Sequence, residues 1–521
     1  MDTSTLGWLG LAKHLRTRNF VDVNSISILL PFVALLFVAI YILKTGKHGD
    51  GLCSVNRSFW GEPAVLARVR WALGSRKILD HAFKRLQNRP YRLFRGDMDL
   101  IVLPSEFIPE LNSLPQNSIN SRFYHSFSVL GHVTGLNVVR KTNHHMRVLL
   151  GRVSPMLPTM LQPTAHRISA AVARLFPQNG NSWDMIDPLE IISECVTEAI
   201  VLILYGRPTC DNPEVVRLCH QITKDAFTIV IIMRCVPASL QRVLVWFLPA
   251  KWRLQKNWKK LEKLTVPVVN ERKLENTSLD MDLLTWMVTD GKSYNVTDAS
   301  LLARLAASVA AGGIYSTANL VVGVLVDLTA RPELCEEIRE EIQVKHIENH
   351  GCWDNASFSS LPKLESVLKE TSRFAPGSLL VYSRLMETTQ TLSNGLVLPK
   401  GQFITISAHS RSMDSRIFPM PETYSGLRHY TNDTGKHYDR PFNSIDGDIL
   451  TWGAGRSACP GRFIATLVAK ILLVKLLSQF EFKFVNGECP EKVVIHEFVL
   501  SNPFKKLLVR QRDESLEFNY K

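Results

Sequence analysis

The sequence predicts a mainly α-helical domain with a small β portion, preceded by a single N-terminal transmembrane helix. Three observations carry that expectation. Helical patterns run through most of the chain; eighteen residues from Ile26 to Leu43 carry no charge; and short strand-like runs gather mainly in the last third. At 1.5 Å per residue the uncharged stretch is long enough to span a bilayer. It begins too far into the chain for a cleaved signal peptide, and Lys44, Lys47 and His48 follow it directly. The expected division is a segment over 1–25, an anchor over 26–43 and one continuous domain over 57–521, because no internal repeat or long linker interrupts the rest. Basic residues are more numerous after the anchor than before it, which favours a cytosolic body.

The longest helical pattern opens at Thr297, a plausible N-cap, and runs to about Ala330, where Arg331-Pro332 stops it. It is uncharged between Arg304 and Asp327, so a second membrane span is one reading. Ser308, Gly312, Gly313, Tyr315, Ser316, Thr317 and Asn319 make that costly in lipid. A buried helix through the middle of the domain is the expectation. Glu370-Thr-Ser-Arg373 follows on a helix entered through Leu361-Pro362 and ended by Ala375-Pro376, with both charges on one face. Strands are expected at Gly395-Leu-Val-Leu-Pro and Phe480-Glu-Phe-Lys-Phe-Val. Trp452-Gly-Ala-Gly455-Arg456-Ser-Ala-Cys459-Pro-Gly461 precedes a last helical run from Ile464 to Phe480.

Composition narrows the function. Hydrophobic residues at 45% against 21% charged exclude a disordered chain. The formal charge of +13 favours an anionic partner, without choosing among a membrane surface, nucleic acid and an acidic protein. Nine scattered cysteines with no C-x-x-C pair fit a reducing compartment. On that ground the sequons at Asn56, Asn276, Asn295, Asn355 and Asn432 are read as unused.

The cysteine loop has two readings. Gly453-x-Gly455-x-x-Ala458 formally fits a dinucleotide fingerprint, but 68 residues after that first glycine are too few for a doubly wound fold. Alternatively, Cys459 is an axial thiolate: the glycines let the loop fold tightly under a flat cofactor, and the following helix aims its N-terminal amides at the sulfur. Arg456 can then pair with a cofactor carboxylate.

This segment closely resembles the haem-binding signature of the cytochrome P-450 family, F-x-x-G-x-R-x-C-x-G, with Trp452 in place of phenylalanine. Glu370-x-x-Arg373 resembles the family's E-x-x-R pair, and Pro421-Glu-Thr-Tyr424-Ser-Gly-Leu-Arg428 the segment whose arginine completes that network. Gly312-Gly-Ile-Tyr315-Ser316-Thr317 resembles the oxygen-activation motif, with Tyr315 where an acid is expected and Ser316 in place of threonine. The resemblance implies the cytochrome P-450 fold and haem b ligated by Cys459. It also implies cofactor contacts from Trp452, Gly455, Arg456 and Gly461, with Arg384 and His145 as further contacts, and Arg152 as an alternative to His145. Ser316, Thr317 and Tyr315 become the candidate catalytic residues. The activity implied is monooxygenation of an apolar, terpenoid-type secondary metabolite using O2 and a separate NADPH-dependent reductase, at the endoplasmic reticulum membrane and without nucleic acid. A haem-thiolate isomerase or lyase, and an inactive membrane scaffold, are the alternatives.

Overall fold

The computed structural model describes residues 51–59, 62–96, 98–236, 238–274, 282–432 and 440–521. The expected anchor at 26–43 lies outside the described residues. The principal helices are α1 (Ala64–Leu86), α2 (Ser121–Ser128), α3 (Ser154–Leu175), α4 (Pro188–Tyr205), α5 (Pro213–Met233), α6 (Pro249–Leu274), α7 (Leu283–Gly291), α8 (Ala299–Thr329), α9 (Pro332–Glu348), α10 (Pro362–Phe374) and α11 (Arg462–Gln479). The strands of three of the sheets are β1 (Tyr91–Phe94), β2 (Asp99–Leu103), β3 (Ile119–Asn120), β4 (Asp184–Ile186), β5 (Leu380–Met386), β6 (Phe403–Ser407), β7 (Phe480–Phe484), β8 (Val493–Ile495), β9 (Phe498–Leu500) and β10 (Leu507–Gln511). The architecture is mainly helical with a small sheet portion.

The main sheet has the order β1-β2-β6-β5-β3. Most strands lie in the last third as expected, Val397–Leu398 and Phe480–Phe484 among them, but the first two strands of this sheet lie near the N-terminal end of the described chain, where the sequence predicts none. Each is only four or five residues long and buried nearly throughout. Such short apolar runs carry no alternation to separate strand from helix. β2 and β6 pair in parallel from Leu100 opposite Phe403 to Leu103 opposite Ile406. β5 pairs antiparallel with β6, and its register shifts between Val381 and Arg384. That irregularity releases Tyr382, at φ 51°, from the regular ladder.

Helix α8 runs through the main core. Its N-cap is Asp298 rather than Thr297, because the Asp298 carboxylate accepts from the N–H groups of Ser300 and Leu301 at 2.8 and 3.1 Å. Although long and apolar enough to cross a membrane, α8 packs against α4, α5, α6, α10 and α11. Residues from Leu302 to Leu328 supply much of the core.

Two buried charge clusters fix the loops around this core. In the first, Arg373 grips Glu370 with two bonds of 2.7 and 2.8 Å and donates to the carbonyls of Ser412 and Pro421. Arg428 reaches the same carboxylate at 3.1 Å, and the Ser425 N–H at 2.9 Å. In the second, Arg95 and Arg234 both donate to one oxygen of Glu497, at 2.8 and 2.7 Å. This joins the main sheet, the end of α5 and the β8–β9 hairpin.

Burial opposes ionisation of Glu370, but Arg373, His429 and the Ser425 N–H outweigh it and hold the carboxyl at about 2. An unfolded glutamate titrates near 4.3. The stabilisation from this group, on the order of 3 kcal/mol, is therefore present above the unfolded value and lost as pH falls toward 2. Glu370→Gln should lower the melting temperature at neutral pH and flatten its decline between about pH 5 and 2. Parallel acid curves for the two proteins would assign the acid sensitivity elsewhere.

Candidate functional site

The segment before α11 makes a tight loop. Leu450–Trp452 forms one 3-10 turn and Gly455–Ser457 a second, with Gly453 and Gly455 at φ 72° and 65°. Gly455 is required twice: its backbone is left-handed, and a Cβ there would sit 2.0 Å from Asn112 Oδ1. The Trp452 indole N–H donates to the Phe442 carbonyl at 2.6 Å, and the Cys459 N–H closes the loop on the Trp452 carbonyl at 2.8 Å. Arg462 donates to the Cys459 carbonyl at 2.9 Å. Burial pushes the Cys459 thiol up, while the Gly461 N–H, the Arg462 charge and the Arg462 N–H pull it down. Those groups favour the anionic form once a cation meets the sulfur. Gly461 leaves open space, since a Cβ there would meet nothing within 4 Å.

Deep side chains with free surface mark an interior cavity. On α8, Gly312 and Ser316, one turn apart, are exposed although Ile314, Thr317 and Ala318 beside them are buried. A Cβ on Gly312 would touch nothing within 4 Å. The Ser316 hydroxyl donates to the Gly312 carbonyl at 3.0 Å and reaches that of Gly313 at 3.2 Å. On α2, His125 is likewise exposed to interior space, where burial and then the Arg384 charge push its imidazole down to about 4.

A further cavity of about 520 Å³ is lined by Asn112, Arg122, Arg147, Tyr382, Arg384 and Arg456. The carboxylate among its lining residues, Glu387, is held by Asn120 at 2.8 Å. Arg384 is almost wholly buried, and burial drops its pKa to about 10. Its guanidinium lies 4.1 Å over the Tyr382 ring and donates to its neighbour's carbonyl, with no carboxylate partner among the described residues. A cation buried this way calls for an anion. Arg456 donates to the Asn112 carbonyl at 3.3 Å, and the Tyr382 hydroxyl to Asn112 Oδ1 at 2.7 Å. A cofactor bearing one thiolate-seeking metal and two carboxylates fits this donor set.

The remaining expected residues fall in different places. His145 is buried beside Arg122, and burial pushes it down to about 4 with its Nδ1 unpartnered among the described residues. Arg152 is instead committed to Asp290 at 3.1 Å. Thr317 is buried, its hydroxyl without a partner among the described residues. Tyr315 points away from the free face of α8, its ring 6.0 Å from those of His220 on α4's neighbour α5 and Phe227 on the same helix. Sequence reasoning missed His125, Tyr382 and Asn112.

The sequence profile of the cytochrome P450 family matches residues 119–509. The chain belongs to the cytochrome P450 family. The P450 monooxygenase AN1598 of Emericella nidulans is 28% identical, over 88% of this chain and 87% of its own length. The P450 monooxygenase olcJ of Penicillium canescens is 28% identical over 94% of each chain. An ent-kaurene oxidase of Gibberella intermedia is 26% identical, over 87% and 86%. This P450 is accordingly an oxidoreductase of the monooxygenase family, whose cofactor is haem with a cysteine thiolate on the iron.

Replacing Cys459 with alanine should abolish the thiolate-type carbon monoxide difference spectrum of the reduced protein. A variant that keeps it would refute the ligand assignment. Gly455→Ala, which forces a Cβ into Asn112, should lower the yield of haem-loaded protein, with partial recovery in Gly455→Ala/Asn112→Gly.

Proposed function

We propose that this P450 inserts one oxygen atom from O2 into an unactivated C–H bond of an apolar, terpenoid- or meroterpenoid-type metabolite. Electrons come from a separate NADPH-dependent haem-protein reductase. The observation that supports this best is the pairing of Cys459, at the head of α11, with a hydroxyl-bearing free face on α8. The ent-kaurene oxidases among its relatives support a terpenoid-type substrate.

Haem b, when bound, supplies the iron that activates oxygen. Cys459 is its ligand, and the N–H groups that face the sulfur stabilise negative charge there. Arg384, with His125 near it, and Arg456 would take the carboxylates, and His145 lies beside Arg122, which lines the same cavity. Trp452 and the two glycines hold the loop flat. Ala306, Ala307, Ala310 and Ile314 are buried and pack the other side of α8 into the core. Ser316 holds a proton at Oγ, one bond rotation from donating away from its own helix. Tyr315 packs rather than titrates, because burial raises its hydroxyl far beyond its usual range. The uncharged stretch at 26–43 anchors the chain once in the endoplasmic reticulum membrane with the body in the cytosol.

Ser316→Ala should leave substrate binding nearly unchanged while product per NADPH falls and NADPH consumption persists, the excess reducing equivalents leaving as peroxide. Ser316→Thr should preserve coupling. An unchanged yield per NADPH in Ser316→Ala would remove the relay role. Turnover without O2 or reductase would favour an isomerase or lyase.

A further inference from the structure

A cavity of about 290 Å³ lies between the short helix Gly131–Thr134, α6 and the start of α8. Its charged lining is basic: Lys251, Lys259 and Arg304, with His132 beside them and no carboxylate among the lining residues. Lys251 is half-buried and donates to the Val133 carbonyl at 2.8 Å. Lys259 is exposed and makes no ion pair among the described residues. Arg304 is shared with Glu262, just outside the cavity, so the two ammonium groups carry the unbalanced charge. Trp258 supplies one wall, its N–H committed to the Thr134 carbonyl at 3.0 Å, and Asn137 and Gln255 add amides.

The field is positive as well as the lining. Burial pushes the His132 imidazole down, and Arg242 and Lys251 push it further. Across α6 there are eight basic residues against Glu262 and Glu271. Beside Lys251, Trp252 stacks edge-on to Trp246 with centroids 5.0 Å apart, and its N–H holds the Trp246 carbonyl at 3.0 Å. Both rings, with Phe247 and Val243, are more than half exposed. An ordered apolar surface next to a cationic hollow suits a ligand with an anionic head and an apolar body.

We infer that this cavity is an oxyanion site that takes a phosphate group through Lys251 and Lys259, with the indole of Trp258 as its floor. A phospholipid head group and a soluble phosphoester share that chemistry, and the aromatic pair favours the first.

Hydrogen exchange on the full-length, haem-loaded protein tests it. One arm adds inorganic phosphate against chloride at equal ionic strength; the other adds phosphatidylcholine vesicles with and without phosphatidic acid. Exchange should slow in 131–137 and 251–259 in at least one arm, vesicles alone marking a lipid ligand and free phosphate a soluble one. Lys259→Glu, on an exposed side chain, should weaken the protective ligand by roughly tenfold or more. Lys251→Gln should weaken it too while still donating to Val133. The haem spectrum should be unchanged in both. No protection in either arm, or equal protection in Lys259→Glu, overturns the site.

Discussion

One carboxylate, that of Glu370, holds the proximal half of the molecule in register. It lies in the second half of α10 and satisfies Arg373, one turn on, together with Arg428 and the Ser425 N–H from a segment more than 50 residues downstream. Arg373 then spends its remaining N–H groups on the carbonyls of Ser412 and Pro421, so the irregular chain from 412 to 428 has its polar backbone paired without belonging to any helix or sheet. Removing either charge strands the other in the interior, at about 3 to 5 kcal/mol. The segment fixed in this way leads into the cysteine loop.

The same logic recurs on the distal side. Around Glu497 two arginines share one carboxylate oxygen and close the roof where α5, α2 and the β8–β9 hairpin meet. Arg95 also takes the Tyr124 hydroxyl of α2 at 2.7 Å, and Arg234 the Ser128 carbonyl. Between roof and floor runs α8, two of whose serines turn their hydroxyls onto its own backbone: Ser308 donates to the Arg304 carbonyl and Ser316 to that of Gly312. An interior wall can therefore be apolar in character while keeping one hydroxyl ready to turn outward.

What the sequence disclosed was local. Cys459 lies within a few residues of its glycines, as Glu370 does of Arg373, and within each motif the spacing is the geometry. Arg428 was legible because the segment around it has its own pattern. Asn112 was not: it meets Arg456 across 344 residues of chain, and only the finished fold shows that Gly455 must be bare because Asn112 is there. His125 lay in a helix with no motif, and its meaning comes from Arg384 on another strand. Tyr315 occupies a motif position, yet which face of α8 it takes is decided by α5 packing against that helix. The N-terminal strands escaped notice since burial on both faces erases alternation.

Arg384 has a consequence for the life of the chain before it becomes an enzyme. Its guanidinium is sealed inside the protein with only carbonyl and ring partners among the described residues, so the last step of folding is electrostatically uphill unless an acid arrives with it. Cofactor capture and completion of the tertiary structure are then one event. A chain that meets haem gains the acid that Arg384 calls for, and one that does not keeps a buried cation without a carboxylate.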